Sequence, residues 1–460
     1  MTATHLPTPR SGREHALRHA VAALTPAPRL RVWEWADRAR YLPTKGSGEP
    51  GPWRTQRVPY AREIMDCLSD DHPCQRIVFI QSSQVAGTEI GLNWIGWFID
   101  TQKAPMMCVQ PTTEMTGRFS KQRLEPMIDA SPTLRAKIPT ARSRDSGNTI
   151  ELKEYPGGVI ILAGANSSAS LRSMPARYLF LDEVDAYPLD LNSEGDPVSL
   201  AEARASTFPR RKVFLCSTPT IESFSRIHKE WLASDQRRYY VPCPHCQAKQ
   251  PLLWDHLTWP EGEPDQAAYA CDHCGAVIPE HHKDALLASG EWRATHPERP
   301  VPGFHINALY SPPGLGLTWA ELAAEWDRKK SDPNQQKTFI NTRLGECFAD
   351  PEEKLDWEEL KARAGGHTIR TIPPGCLLLT AGVDVQKDRF AVLLLGFGRG
   401  GIVWIIDYQE LPADPTRPGD WQILQTLLEV PFRNSRGASI KVTAAAIDSG
   451  YLTDDVLYYT

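Results

Sequence analysis

Between residues 53 and 235, short apolar runs alternate with longer segments of helical pattern: "RIVFI" (76–80), "APMMCVQP" (104–111), "GGVIILAG" (157–164), "ARYLFLDE" (176–183) and "KVFLCSTP" (212–219). Strands this uniformly apolar must be buried on both faces. A mainly parallel sheet covered by helices on each side meets that demand. The fold class expected is therefore α/β. In such open sheets ligands gather at the C-terminal ends of the strands, so the residues that end these runs are the first place to look for chemistry.

The first run continues as "RIVFIQSSQVAGTEIGLNW" (76–94), an apolar strand, a loop of small and polar residues, and an apolar-rich helical stretch. Backbone N–H groups at such a helix start can cradle phosphate oxygens. The loop is Gln81, Ser82, Ser83, Gln84, Val85, Ala86, Gly87 and Thr88. Thr88 falls where a hydroxyl would hold Mg²⁺, Gly87 stands where a phosphate-reaching lysine is usual, and Ala86 stands where glycine is usual. "RYLFLDEVD" ends a buried strand in Asp182, placed to reach Mg²⁺, and Glu183, placed to polarise an attacking water. "KVFLCSTPT" ends in Ser217 and Thr218, where motor ATPases sense the γ-phosphate. Together the three parts describe a site for ATP and Mg²⁺.

Four of the ten cysteines form two CxxC pairs, Cys243/Cys246 and Cys271/Cys274, separated by residues 247 to 270. Two such turns complete a closed tetrahedral Zn²⁺ shell, which leaves no open position and reads as structural. His245 and His273 are expected to be exposed. Cys67, Cys74, Cys108, Cys216, Cys347 and Cys376 are scattered singly and read as buried thiols of a reducing compartment. Further on, "LLLTAGVDVQKDRFAVLLLGFG" carries Asp384 in an apolar strand and "KVTAAAIDSG" ends a strand in Asp448. Carboxylates in buried strands are costly unless they meet a metal, so this pair is expected to bind Mg²⁺ or Mn²⁺ for phosphodiester hydrolysis. Asp388 and Asp407 read as turn and edge residues.

The bulk composition, 41% hydrophobic and 23% charged, is that of a globular protein, and the net charge of −5 carries no global signature of nucleic-acid binding. A local basic stripe suffices for DNA, but "FPRRK" and "RGASIK" are short. No apolar run has membrane-spanning length and the start lacks a signal-peptide core, so the chain is expected in the cytoplasm, with no membrane partner.

The segments "EPGPWRTQRVPYAREIMD", "QSSQVAGTE", "VQPTTEMTGRFSKQRLEPMI", "SLRSMPARYLFLDEVDAYP", "STPT", "FINTRLGE", "AGVDVQKDRF" and "AAIDSG" span most of the chain, and their order resembles the GpA-like large terminase subunits of tailed phages. That resemblance implies a P-loop (RecA/ASCE-like) ATPase domain with a Cys₄ zinc-ribbon insertion, followed by an incomplete RNase H-like nuclease domain. The boundaries expected are an N-terminal arm, partly disordered, at 1–50; the ATPase domain at 51–237; the zinc-ribbon-like module at 238–282; a helical linker region at 283–375; and the truncated nuclease domain at 376–460. The implied activity is ATP-driven translocation of viral double-stranded DNA into a procapsid, with endonucleolytic cutting of concatemers. The implied partners are duplex DNA, a small terminase subunit, the portal protein and further copies of the chain in a ring, in the host cytoplasm.

The resemblance also assigns residues. Family members carry the loop lysine at the position of Gly87 or of Gln81, and this chain has neither. Arg172 and Arg118 are candidates for an arginine finger, in cis or in trans. Trp53, Arg57 and Tyr60 match the segment that packs on adenine, with a place for Tyr60 in the core of its helix equally open. The family's nuclease extends beyond residue 460, so cleavage by this form is expected to be impaired. Two rival readings are a helicase-like remodelling ATPase and a degenerate prophage remnant that only binds DNA or protein.

Overall fold

A computed structural model describes residues 29–138, 147–191, 194–349, 368–434, 437, 439–450 and 452–459. The chain divides into two compact units, Met1–Asp350 and Pro351–Thr460. Most of the arm, residues 1–28, lies outside the described residues; the rest of it holds helix α1 (Val32–Ala39), whose Trp35 is fully buried.

The first unit is built on a ten-stranded sheet. Its parallel centre contains β1 (Arg76–Gln81), β2 (Pro105–Gln110), β4 (Gly158–Gly164), β5 (Tyr178–Asp182), β6 (Lys212–Ser217) and β10 (Gly303–Ile306). The remaining strands are β3 (Leu152–Tyr155), β7 (Arg237–Pro242), β8 (Lys249–Pro251) and β9 (Glu291–Ala294). The spatial order is β8–β7–β10–β1–β6–β5–β2–β4–β3, with β9 pairing β7. The five apolar runs are thus neighbours, and β6 lies between β1 and β5. Successive residues serve opposite faces, as the pleat requires. Ile77 and Phe79 join one hydrophobic cluster while Val78 and Ile80 join the other. That double burial is why these strands read as unbroken apolar runs.

Helix α2 (Ala61–Leu68) leads into β1, and α3 (Gly87–Thr101) leaves it. Glycine lets α3 lie close on the sheet: a Cβ at Gly91 would fall 2.1 Å from Phe180 Cζ. Trp94 meets Tyr178 edge-on at 5.8 Å, fixing the helix over β5. The start of α3 and the end of β5 are therefore held in one register.

Two features differ from the sequence expectations. β10 lies within the span read as a helical linker, yet it is a central strand between β1 and β7. Its four residues, "GFHI", are too short to show periodicity. Nor do the CxxC pairs sit on a detached module: β7 and β8 belong to the main sheet, and the first pair lies in the turn between them. A small sheet of Leu257–Thr258, Ala268–Ala270 and Val277–Ile278 completes that region. Beyond it come α4 (Trp319–Lys329), α5 (Pro333–Phe339) and a π-helical turn, Ile340–Leu344.

The second unit holds β11 (Cys376–Val385), β12 (Arg389–Gly398), β13 (Val403–Pro412), helix α6 (Trp421–Glu429) and β14 (Val442–Ile447). The order is β13–β12–β11–β14, antiparallel except that β14 runs parallel to β11. Leu379, Ala381, Val383 and Val385 face a core with Phe390, Trp421 and Leu424. The alternate residues Leu378, Gly382 and Asp384 are exposed. No helix among the described residues is long and apolar enough to cross a membrane.

Candidate nucleotide site and metal centres

Because the central strands are parallel, Gln81, Gln110, Asp182 and Ser217 all emerge at one sheet edge. The loop after β1 is held from the side by the "FINTRLGE" segment. Ser83 donates its backbone N–H and its hydroxyl to the Thr342 carbonyl, at 2.8 and 2.9 Å, and Ser82 N–H donates to Ile306 O at 2.9 Å. Gln84 and Ala86 both take left-handed backbone, φ 66° and 69°, a conformation that costs a residue with a Cβ on the order of 1 kcal/mol or more. Gln81 Oε1 and Ser82 Oγ are buried without a hydrogen-bond partner. Orphaned polar atoms of this kind at a helix start fit an intended ligand.

The acidic pair stands across from the loop. Asp182 is buried, with Thr88 Oγ1 3.4 Å and Gln110 Nε2 3.2 Å from Oδ2, and Cys216 Sγ 3.1 Å from Oδ1. Burial raises its pKa. Glu183 is left-handed at φ 55°, its N–H bound to Cys216 O, and its carboxylate 3.4 Å from Ser217 Oγ. Burial, and then the neighbouring Asp182 charge, pushes Glu183 up to about 7, while a backbone bond from Thr218 opposes the shift. A carboxylate poised near neutrality suits a general base. Thr88, Asp182, Glu183, Ser217 and Thr218 therefore meet at one point. Val85 packs inward, fully buried.

A cavity of about 320 Å³ opens beside the loop, with Trp53, Arg57, Tyr60, Gln84, Ala86 and Arg123 among its walls. Tyr60 lies where its helix meets the cavity. It is fully buried and meets Tyr239 edge-on, yet it lines the cavity and its hydroxyl has no partner. Arg57 is held by Glu49 and by Pro313 O.

The arginines divide differently from the sequence reading. Arg118 is exposed and pairs with Glu114 one turn away, and Arg172 is half-exposed and pairs with Glu194. Neither bonds to the loop or to the acidic pair. Two arginines not singled out from sequence come nearer. Arg343 extends from the π-helical turn, pairs with Glu325 at 2.9 Å, and brings NH1 within 3.5 Å of Ser83 Oγ. Arg123 lines the cavity, lies 3.9 Å from Glu89, and its charge reaches Asp182. Arg343 lies within "FINTRLGE" and Arg123 within "FSKQR", but local sequence does not say which arginine of such a segment folds back.

The four CxxC sulfurs converge, with Cys243–Cys274 at 3.9 Å and Cys246–Cys271 at 3.8 Å. A tetrahedral zinc–thiolate shell has sulfur edges of roughly 3.8 Å, so the donor set fits that ion. His245 and His273 are exposed. In the second unit Val383 pairs with Ile447 and Asp448 N–H donates to Val383 O at 2.8 Å. Asp384 and Asp448 are thus side by side on neighbouring parallel strands. Both are exposed, so the desolvation argument for a metal does not apply: Asp384 lies on the open face of its sheet. Gln386 and Gly450 N–H bond to them. Asp388 is an exposed turn residue, and Asp407, on the edge strand β13, is buried against Arg370 at 2.8 Å.

Comparison with known proteins also finds two domains, but their boundary falls between residues 292 and 301, earlier than the break at residue 350 between the compact units. Residues 47–292 match the family "Phage terminase large subunit gpA, ATPase domain" and residues 301–460 match "Terminase large subunit gpA, endonuclease domain". The terminase large subunit of Enterobacteria phage P21 is 28% identical, over 95% of this chain and 71% of that protein. That of Escherichia phage lambda is 27% identical, over 96% and 72%. The solved ATPase domain of the Thermus phage P74-26 large terminase aligns at 13% identity and a TM-score of 0.35, over 65% of this chain and 95% of that one, too distant to add weight. The chain belongs to the gpA family of phage terminase large subunits, with the family's ATPase and endonuclease domains in sequence.

Proposed function

We propose that this terminase subunit hydrolyses ATP at the sheet edge to drive double-stranded DNA into a procapsid, and cuts concatemeric DNA with its second unit. The observation that carries the reading is the meeting of Thr88, Asp182, Glu183 and Ser217 around a loop with unpartnered buried polar atoms. The order β10–β1–β6–β5–β2, with β6 between the loop strand and the acidic strand, supports a RecA/ASCE-like P-loop domain.

In this reading Thr88 and Asp182 hold Mg²⁺, which neutralises phosphate charge when bound. Glu183 takes a proton from the attacking water as its oxygen bonds to the γ-phosphorus and the bridging P–O bond breaks. Ser217, tied to Glu183, and Thr218 report the state of that phosphate to the strand behind them. Gln81 donates a hydrogen bond where relatives place a lysine charge, and Arg343 and Arg123 supply the missing charge from either side of the loop. Arg172 and Arg118 are left for a neighbouring subunit's site in a ring. Trp53, Arg57 and Tyr60 face the adenine.

Cys243, Cys246, Cys271 and Cys274 hold a structural Zn²⁺. The β11–β14 order supports an RNase H-like nuclease in which Asp384 and Asp448 share a divalent metal. The small terminase subunit and the portal are the partners, and DNA is held mainly through phosphates. The test is steady-state ATP hydrolysis with and without duplex DNA. DNA-stimulated turnover that disappears in Asp182→Asn is expected; hydrolysis indifferent to that change contradicts the reading.

A further inference from the structure

Cys67 and Cys74 read as isolated thiols in sequence, but the fold brings them together. The loop from α2 to β1 folds back so that Cys67, His72 and Cys74 offer ligand atoms all within 4.8 Å of one another. His72 Nδ1 lies 3.0 Å from Cys74 Sγ and Nε2 lies 3.9 Å from Cys67 Sγ. One buried ammonium organises the loop: Lys212 Nζ donates to the carbonyls of Cys67, His72 and Cys74, each at 2.9 Å. The three donor residues are thus held by their own backbones, before any ligand arrives.

We propose that Cys67, His72 and Cys74 form a zinc site. Two thiolates and an imidazole are a donor set for Zn²⁺. The charges also balance, because two thiolates cancel the dication. Lys212 bonds to carbonyls, not to the sulfurs, so it does not occupy the lone pairs that would bind the ion. Cys67 is buried, while His72 and Cys74 are half-buried and border a cavity of about 410 Å³ that also touches Asp71 and Arg210. That cavity gives the ion an entry path and leaves room for water as the fourth ligand. The site joins the end of α2, the approach to β1 and the start of β6, at the sheet edge opposite the nucleotide loop. It is independent of the CxxC shell.

The experiment is the zinc content of the full chain by elemental mass spectrometry, in the wild type, in His72→Ala/Cys74→Ser and in Cys243→Ser/Cys246→Ser. The first variant is expected to hold one zinc fewer than the wild type, and the second to keep the ion that the first loses. Equal zinc in the wild type and His72→Ala/Cys74→Ser overturns the proposal, as does a Cys67–Cys74 disulfide in freshly purified protein. Cobalt substitution of Cys243→Ser/Cys246→Ser covers the case in which the first variant misfolds. A tetrahedral spectrum with sulfur-to-cobalt charge transfer supports the site, and an octahedral spectrum without it overturns it.

Discussion

Gln81 and Gly87 occupy one volume: a Cβ built on Gly87 lies 2.1 Å from both amide atoms of the Gln81 side chain. The two lysine positions of the family are therefore mutually exclusive in this backbone. A long side chain at one requires a small residue at the other. Gly87→Lys alone is expected to destabilise the first unit by about 1–3 kcal/mol, the usual cost of overpacking. Adding Gln81→Ala should remove most of that cost. Urea unfolding of the two single variants and the double variant measures the coupling; additive effects would contradict it.

The loop is also clamped from behind. His305 lies 3.0 Å from Gly345 O, and Gly345, at φ 62°, presses so close that a Cβ there would meet Gln81 C and Ser82 N at 2.7 Å. Burial, then the Arg238 charge, holds His305 down to about 3. Its folded pKa is below the unfolded value of about 6.5, so its contribution to stability is complete above pH ~6.5 and is lost as pH falls toward 3. His305→Gln should flatten the fall in urea midpoint between pH 7 and pH 5. A slope equal to the wild type's would show that other groups carry the acid sensitivity.

Arg343 and Arg123 should matter to a single chain in a way that Arg118 and Arg172 do not. Arg343→Ala is expected to lower kcat by roughly tenfold to a thousandfold, in keeping with charge stabilisation of phosphoryl transfer. Arg118→Ala should leave dilute, monomeric turnover unchanged, since it loses only an exposed i,i+4 pair. Turnover measured at low protein concentration separates the two; equal losses would reverse the assignment.

Much of this candidate site is legible in sequence because Gln81, Asp182 and Ser217 each end an apolar run. The run fixes the strand, and the parallel sheet then fixes where its end must lie. Asp182, Glu183 and Ser217 were found that way. The four residues of β10 were not, because they are shorter than any reliable period. Arg343, Arg123 and the Cys67–His72–Cys74 cluster depend on how loops fold back, which no local pattern encodes. The burial expected of Asp384 failed for a related reason: an apolar strand need not be covered on both faces, and this one carries its acid on the open side.

Loss of the CxxC ion should be felt in the main sheet, since Cys243 directly follows β7. Cys246→Ser, or prolonged chelation, is expected to lower the thermal midpoint of the first unit by several degrees. Calorimetry with and without added Zn²⁺ tests this, and a chelation-insensitive midpoint would mean the shell contributes nothing to folding.

Asp384 and Asp448 should share one divalent ion. Mn²⁺ binding followed by electron paramagnetic resonance is expected to weaken at least tenfold in Asp384→Asn and similarly in Asp448→Asn. A loss confined to one variant would separate the two carboxylates.

A phosphate loop without its lysine is expected to work beside an intact acidic pair. Steady-state ATP hydrolysis by the wild type and Glu183→Gln tests it most directly. Turnover is expected to rise through about pH 7 as Glu183 ionises, and to fall in Glu183→Gln by the 10²–10⁴-fold typical of a lost general base. Hydrolysis that survives Glu183→Gln undiminished would contradict it.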